Sequence, residues 1–147
     1  GDGTNRWRRF YVSYVREKGR SYDLGSRQAS TPTIGANVGS VTTHSSVANY
    51  SVVGHLVTIL IEVEFTPASA GTNPTSILVA LPITPGASIN TTTNSSIYKV
   101  GVGDDNTFAK VIAFASNSNL YLNRGDVTNW TYNVRYSVWA QISYFIA

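Results

Sequence analysis

The sequence predicts an all-β chain, a small antiparallel β-sandwich of jelly-roll-like type. Three observations carry that expectation. Residues 57–65 alternate strictly, with Val57, Ile59, Ile61, Val63 and Phe65 in one phase and Thr58, Glu62 and Glu64 in the other. Short segments of strand character recur at intervals of roughly 10–15 residues, separated by clusters of Gly, Pro, Asn, Ser and Thr. No strand–helix alternation appears, so a parallel sheet with crossover helices is excluded.

Taken in order, residues 5–18, NRWRRFYVSYVREK, fit a short helix and a strand alike. Trp7, Phe10, Tyr11, Tyr14 and Val15 have helical spacing, while the aromatic and β-branched content favours a strand. Residues 19–49 are rich in Gly, Ser, Thr and Ala and read as loop with short extended pieces anchored by Ile34, Val38 and Val41. Residues 50–65 form the clearest strand region. TPASAGTNPTS is a turn-rich loop, and ILVALPI, 77–83, is a short buried strand stopped by Pro82. Residues 84–96 read as a polar loop, 97–103 as a strand broken by glycines, 104–107 as a turn and 108–116 as a strand. A turn at NSN leads into 120–122, residues 123–129 form a loop, and 130–146 close the chain as a strand or strand pair. In that last segment Val138, Ala140, Ile142, Tyr144 and Ile146 share a face.

The chain has 147 residues, 42% hydrophobic and only 13% charged. Soluble domains average about a quarter charged. Ser, Thr, Asn and Gly fill the difference, a composition suited to a repetitive β-assembly. Residues 1–27 carry seven basic and three acidic side chains, a net +4, and the remainder carries −1. The basic character therefore belongs to the N-terminal segment, and the chain does not have the charge pattern of a nucleic-acid binder. Cysteine is absent, which removes disulfides, thiolate metal sites and thiol nucleophiles. No apolar run is long enough for a membrane helix, and methionine is absent, so the chain reads as a piece of a longer protein.

Few residues suggest chemistry. His44 and His55 lack a third metal ligand, so no metal or cofactor is expected. Glu62 and Glu64 lie in the outward phase of a strand, where carboxylates are solvated or paired across the sheet. Asp104, Asp105 and Asn106 follow a Gly-x-Gly but precede no helix, and offer too few oxygens for calcium. No Gly-x-Ser-x-Gly elbow occurs. RWRRF mixes arginine and aromatics on a small footprint. NRGD, 123–126, contains a cell-attachment tripeptide and reads as a turn. The Asn-x-Ser/Thr sites at Asn49, Asn90, Asn94 and Asn129 are expected by chance in this composition. The last third holds an excess of aromatics: Tyr98, Tyr121, Trp130, Tyr132, Tyr136, Trp139 and Tyr144. They fit a subunit interface or, beside Asn and Asp, a platform for sugar rings.

NYSVVGHLVTILIEVEFT followed by ILVALPI resembles the C-terminal receptor-binding tips of bacteriophage tail fibres and tailspikes, modules also found at phage-derived bacterial adhesin tips. The matching positions are Tyr50, Gly54, Val57, Ile59, Leu81 and Pro82. YKVGVGDDNTFAKVIAFASNSNLYL looks like that domain's following hairpins, and WAQISYFIA is similar to its closing strand. The likeness covers residues 30–147, leaving 1–29 as a basic, aromatic connector. It implies a homotrimeric, non-enzymatic tip, extracellular or virion-associated, whose loops touch a cell-surface glycan or protein, with no nucleic acid and no membrane insertion. It transfers no individual binding residue. The expected binding loops are 84–96, 104–107 and 123–130. The candidates there are Asp104, Asp105, Asn106, Arg124 and Asp126, with Asn129, Trp130 and Tyr132 beside them; Trp130 and Asn129 lead. Two other classes fit the same composition: a capsid-type β-sandwich with a basic arm, and a carbohydrate-active enzyme.

Overall fold

The computed structural model describes residues 27–68, 72–87 and 90–146, and the backbone alone of 14–17 and 20–23. Eleven strands are present and no helix among the described residues: β1 Tyr14–Glu17, β2 Arg20–Asp23, β3 Gln28–Ser30, β4 Ile34–Ala36, β5 Val41–Val53, β6 Leu56–Pro67, β7 Ser76–Ala80, β8 Thr91–Lys99, β9 Gly103–Ala113, β10 Asn119–Arg124 and β11 Tyr136–Phe145. Strands β1 and β2 pair with each other. Within the 5–18 segment, residues 14–17 are therefore strand, and 5–13 lie outside the described residues.

The other nine strands form one antiparallel sheet in the order β3-β5-β6-β11-β8-β9-β10-β7-β4. Its two end strands, β3 and β4, are neighbours in the chain. The sheet must therefore curl until its ends meet at residues 31–33. That corner is tied to both ends: Ser46 Oγ on β5 donates to Pro32 O at 2.6 Å, and Ala80 N on β7 donates to Thr33 O at 3.0 Å. Strands β8, β9 and β10 run as a meander, and β11 returns beside β8, the Greek-key order. The all-β antiparallel expectation holds, with the two facing layers drawn from one curled sheet.

The core lies inside the curl. On β6 the expected inward set, Val57 to Phe65, is at most 1% exposed. On β11 Tyr136, Val138, Ala140, Ile142 and Tyr144 are buried in phase with it, across a ten-residue register from Tyr136↔Phe65 to Phe145↔Leu56. From the other half come Ile77, Val79, Ala109, Val111, Leu120 and Leu122. Burial of these side chains is the main favourable term, about 1.5–3 kcal/mol each for the larger aliphatics. A two-residue turn, Gly54–His55, links β5 to β6; Gly54 sits at φ 59°, where the first central position of a tight hairpin needs glycine.

Several boundaries differ from the sequence expectation. Residues 41–49 belong to the 13-residue β5 and are not loop. Its inward positions include Ser46 and Ala48, and 42–45 are exposed, so it shows no apolar alternation. Residues 91–96 are strand as well, held by their ladder to β9 and not by their own hydrophobicity. Residues 104–107 do not reverse the chain. The reversal comes at 100–102, where Lys99 pairs with Gly103. Strand β7 stops at Ala80, before Pro82, and β9 stops at Ala113. Residues 130–135 precede β11 and are not part of it.

Candidate functional site

Residues 104–107 form a bulge in β9. Ser96 pairs with Phe108 and Tyr98 with Asp104, so three residues of β9 face Ile97 alone. Asn106 adopts φ 57°, and its amide donates to the Asp104 carboxylate at 3.1 Å. Asp104 and Asn106 thus tie the bulge locally, with both side chains exposed. The bulge turns Asp105 inward, where its side chain is 1% exposed and meets Lys99 and Arg124.

Arg124 is the centre of this cluster. Its Nη1 donates to Asp105, its Nη2 to Asp126 Oδ2 at 3.0 Å, and its Nε to Thr128 Oγ1 at 2.8 Å. Its guanidinium carbon lies 5.9 Å from the Trp130 ring centroid, within reach of a cation–π contact. Burial disfavours the arginine's charge, but the hydrogen bonds to Asp126 and Asp105 outweigh it and its pKa rises. The hydrogen bonds from Arg124 and Thr128 pull the Asp126 carboxyl down to about 2. The Arg-Gly-Asp turn is therefore closed on itself: the arginine side chain is 9% exposed and holds its own aspartate.

Trp130, expected in a binding loop, presents no exposed ring face. It is fully buried, packed edge-on against Phe65 at 5.3 Å and Tyr136 at 5.0 Å, with its indole N–H donating to Leu122 O at 3.0 Å. It plugs the core from the loop, because an aromatic that size finds its hydrogen bond there. Its neighbours bind the 72–75 segment. Asn129 Nδ2 donates to Asn73 O at 3.1 Å, Tyr132 N donates to Asn73 Oδ1 at 3.2 Å, and the Tyr132 hydroxyl donates to Thr72 O. The structure brings Asp105, Arg124 and Asp126 into one cluster and Asn129 and Tyr132 into another. Both clusters are occupied by their own hydrogen bonds.

The exposed aromatics lie elsewhere. Trp139 on β11 is 65% exposed and Tyr98 on β8 is 51% exposed. Strands β8 and β11 pair only at Tyr136↔Lys99, Ser137↔Tyr98 and Val138↔Ile97. The β8–β9 irregularity falls at that end of the ladder, and beyond it the two strands part. The Ser95 hydroxyl spans the widening gap and donates to Trp139 O. An open cleft of about 410 Å³ results, lined by Ser95, Ser96, Tyr98, Ser137 and Trp139. Across β6, Trp139 faces Glu62 and Ser137 faces Glu64. Glu64 is paired with Arg135.

Trp139 was readable as outward-facing. The phase that buries Val138 and Ala140 places the tryptophan between them on the outer face. His44 bonds Thr66 Oγ1 at 2.8 Å and His55 sits in the hairpin turn; among the described residues no group of three or more His, Cys, Asp or Glu could hold a metal. Among the described residues no helix is long and apolar enough to cross a membrane. Comparison with family models, curated proteins and solved structures returns no match.

Proposed function

We propose that this chain is a non-enzymatic recognition module, the receptor-binding tip of a homotrimeric fibre that contacts a cell-surface glycan or protein. The observation that carries the reading is the exposed Trp139 and Tyr98 beside the serine-lined cleft. Large exposed rings on a sheet face are costly to solvate and mark a surface that meets a partner. The cleft lining holds hydroxyls and rings and no carboxylate or imidazole, so it offers contacts and not acid–base chemistry. The surface of the same sheet half adds Val53, Leu60 and Phe145, each at least 36% exposed, as apolar area for neighbouring copies. Three weak sites on one trimer would act together, each about millimolar alone.

The test is the solution mass by light scattering, with binding of labelled protein to whole cells. A mass near three chains and saturable cell binding support the reading. A monomer with no cell binding contradicts it.

A further inference from the structure

We propose that the cleft between β8 and β11 is a subsite for one neutral sugar ring, a hexose or N-acetylhexosamine unit of a larger glycan, stacked on Trp139. The inference rests on the recognition reading above and names the ligand class of its site.

The shape and chemistry of the lining suit that ring. At about 410 Å³ the cleft has the size of a small-ligand site. A pyranose presents an apolar C–H face and a rim of hydroxyls. Trp139 offers the stacking surface and Tyr98 a second wall. Ser96 and Ser137 each provide one donor and two acceptor sites. Ser95 spends its proton on Trp139 O and keeps acceptor capacity. That bond also fixes the backbone carrying the tryptophan, so the platform is held before a ligand arrives.

The surrounding charges decide between sugar classes. Glu62 lies directly across from Trp139 and Glu64 directly across from Ser137. The cleft lining itself carries no cation. Of the cations on neighbouring positions, Arg135 pairs with Glu64 and Lys99 with Asp105, and Lys110 lies outside the lining, across from Asn94, which is two residues along from Ser96. The lining therefore offers an anionic sugar no counter-charge of its own, and Glu62 stands across from its Trp139. A sialic acid or uronate is disfavoured, and a neutral ring meets no penalty. A peptide strand is a poor occupant, because at the mouth of the gap Ser95 already takes the carbonyl of Trp139.

The experiment is a glycan array followed by calorimetric titration. It uses hexose- and N-acetylhexosamine-terminated oligosaccharides beside their sialylated and uronate-terminated counterparts, with the wild type, Trp139→Ala, Ser137→Ala and Glu62→Gln. The expected result is binding of neutral glycans, weakened about tenfold or more by Trp139→Ala and less by Ser137→Ala. Glu62→Gln leaves neutral binding in place and relaxes the exclusion of anionic glycans. A preference of the wild type for anionic glycans overturns the proposal, as does unchanged binding by Trp139→Ala. Wild-type protein that binds cells but no glycan overturns this site and leaves the recognition reading standing. Protein that binds neither overturns both.

Discussion

Arg124 Nη2 donates to Asp126 Oδ2 at 3.0 Å, so the two charged residues of the Arg-Gly-Asp turn bind each other. The pair has a pH signature. The hydrogen bonds from Arg124 and Thr128 hold the aspartate's folded pKa at about 2, below its ordinary value of 3.8. A depressed carboxyl stabilises the fold above its unfolded pKa and loses that contribution as pH falls through the folded value. Asp126→Asn should therefore be less stable than the wild type at neutral pH. The difference should vanish as pH falls from about 4 towards 2. The Asp126 side chain is 38% exposed, so screening limits the effect to about 1 kcal/mol or less. Urea denaturation of both proteins across that range checks it.

Gly125 lies under the ring of Phe108. Its amide donates to Phe108 O at 2.7 Å, and a Cβ there would sit 2.4 Å from the ring. Gly125→Ala should push the half-exposed ring outward and cost about 1 kcal/mol. In a Phe108→Ala background the same substitution should be close to neutral. A double-mutant cycle with denaturant midpoints measures the coupling.

The two tryptophans of the C-terminal third should respond oppositely. Trp130→Ala leaves a void between Phe65, Tyr136 and Leu122 and should cost about 3–5 kcal/mol, enough to compromise folding. Trp139→Ala removes an exposed ring and should change stability by about 0.5 kcal/mol or less. Thermal unfolding of both variants is the check. Trp130→Ala is for that reason unsuitable as a binding mutant.

How much of this was legible differs by element. The inward faces of β6 and β11 were readable because each is a long strand with one dry face. Strand β5 and the first half of β8 were not, since their strand state comes from pairing partners; the buried positions of β5 include Ser46 and Ala48, and residues 91–96 of β8 are Thr, Asn and Ser, none of them buried. The DDNT segment carries turn residues, and it does form a local turn, but as a bulge inside β9 with Asn106 at positive φ. Trp130 looked like a rim aromatic because it sits among Asn, Thr and Asp. Only the curl of the sheet shows that its loop crosses the core. For the cleft, Trp139 was implied by the phase of β11, while the presence of Tyr98 in the same lining required the sheet order β11-β8, which brings together strands about 40 residues apart in the chain.

Tyr144 connects that sheet to the loop before β8. Its hydroxyl donates to Ile83 O at 2.7 Å, and burial raises its pKa. Tyr144→Phe leaves a carbonyl without its donor and should cost about 1 kcal/mol. Hydrogen exchange should show faster opening at Gly86, whose amide donates to Phe145 O at 2.8 Å.

In the proposed function, recognition uses the cleft beside Trp139 and not the Arg124–Thr128 loop. Amide and indole chemical-shift mapping during titration with a neutral oligosaccharide tests it most directly. The expected result is movement of the Trp139 indole and of the amides of Ser95, Ser96, Tyr98 and Ser137, with the Trp130 indole, bound to Leu122 O, unmoved. Shifts centred on Arg124, Asp126 and Thr128 with Trp139 unchanged would contradict it.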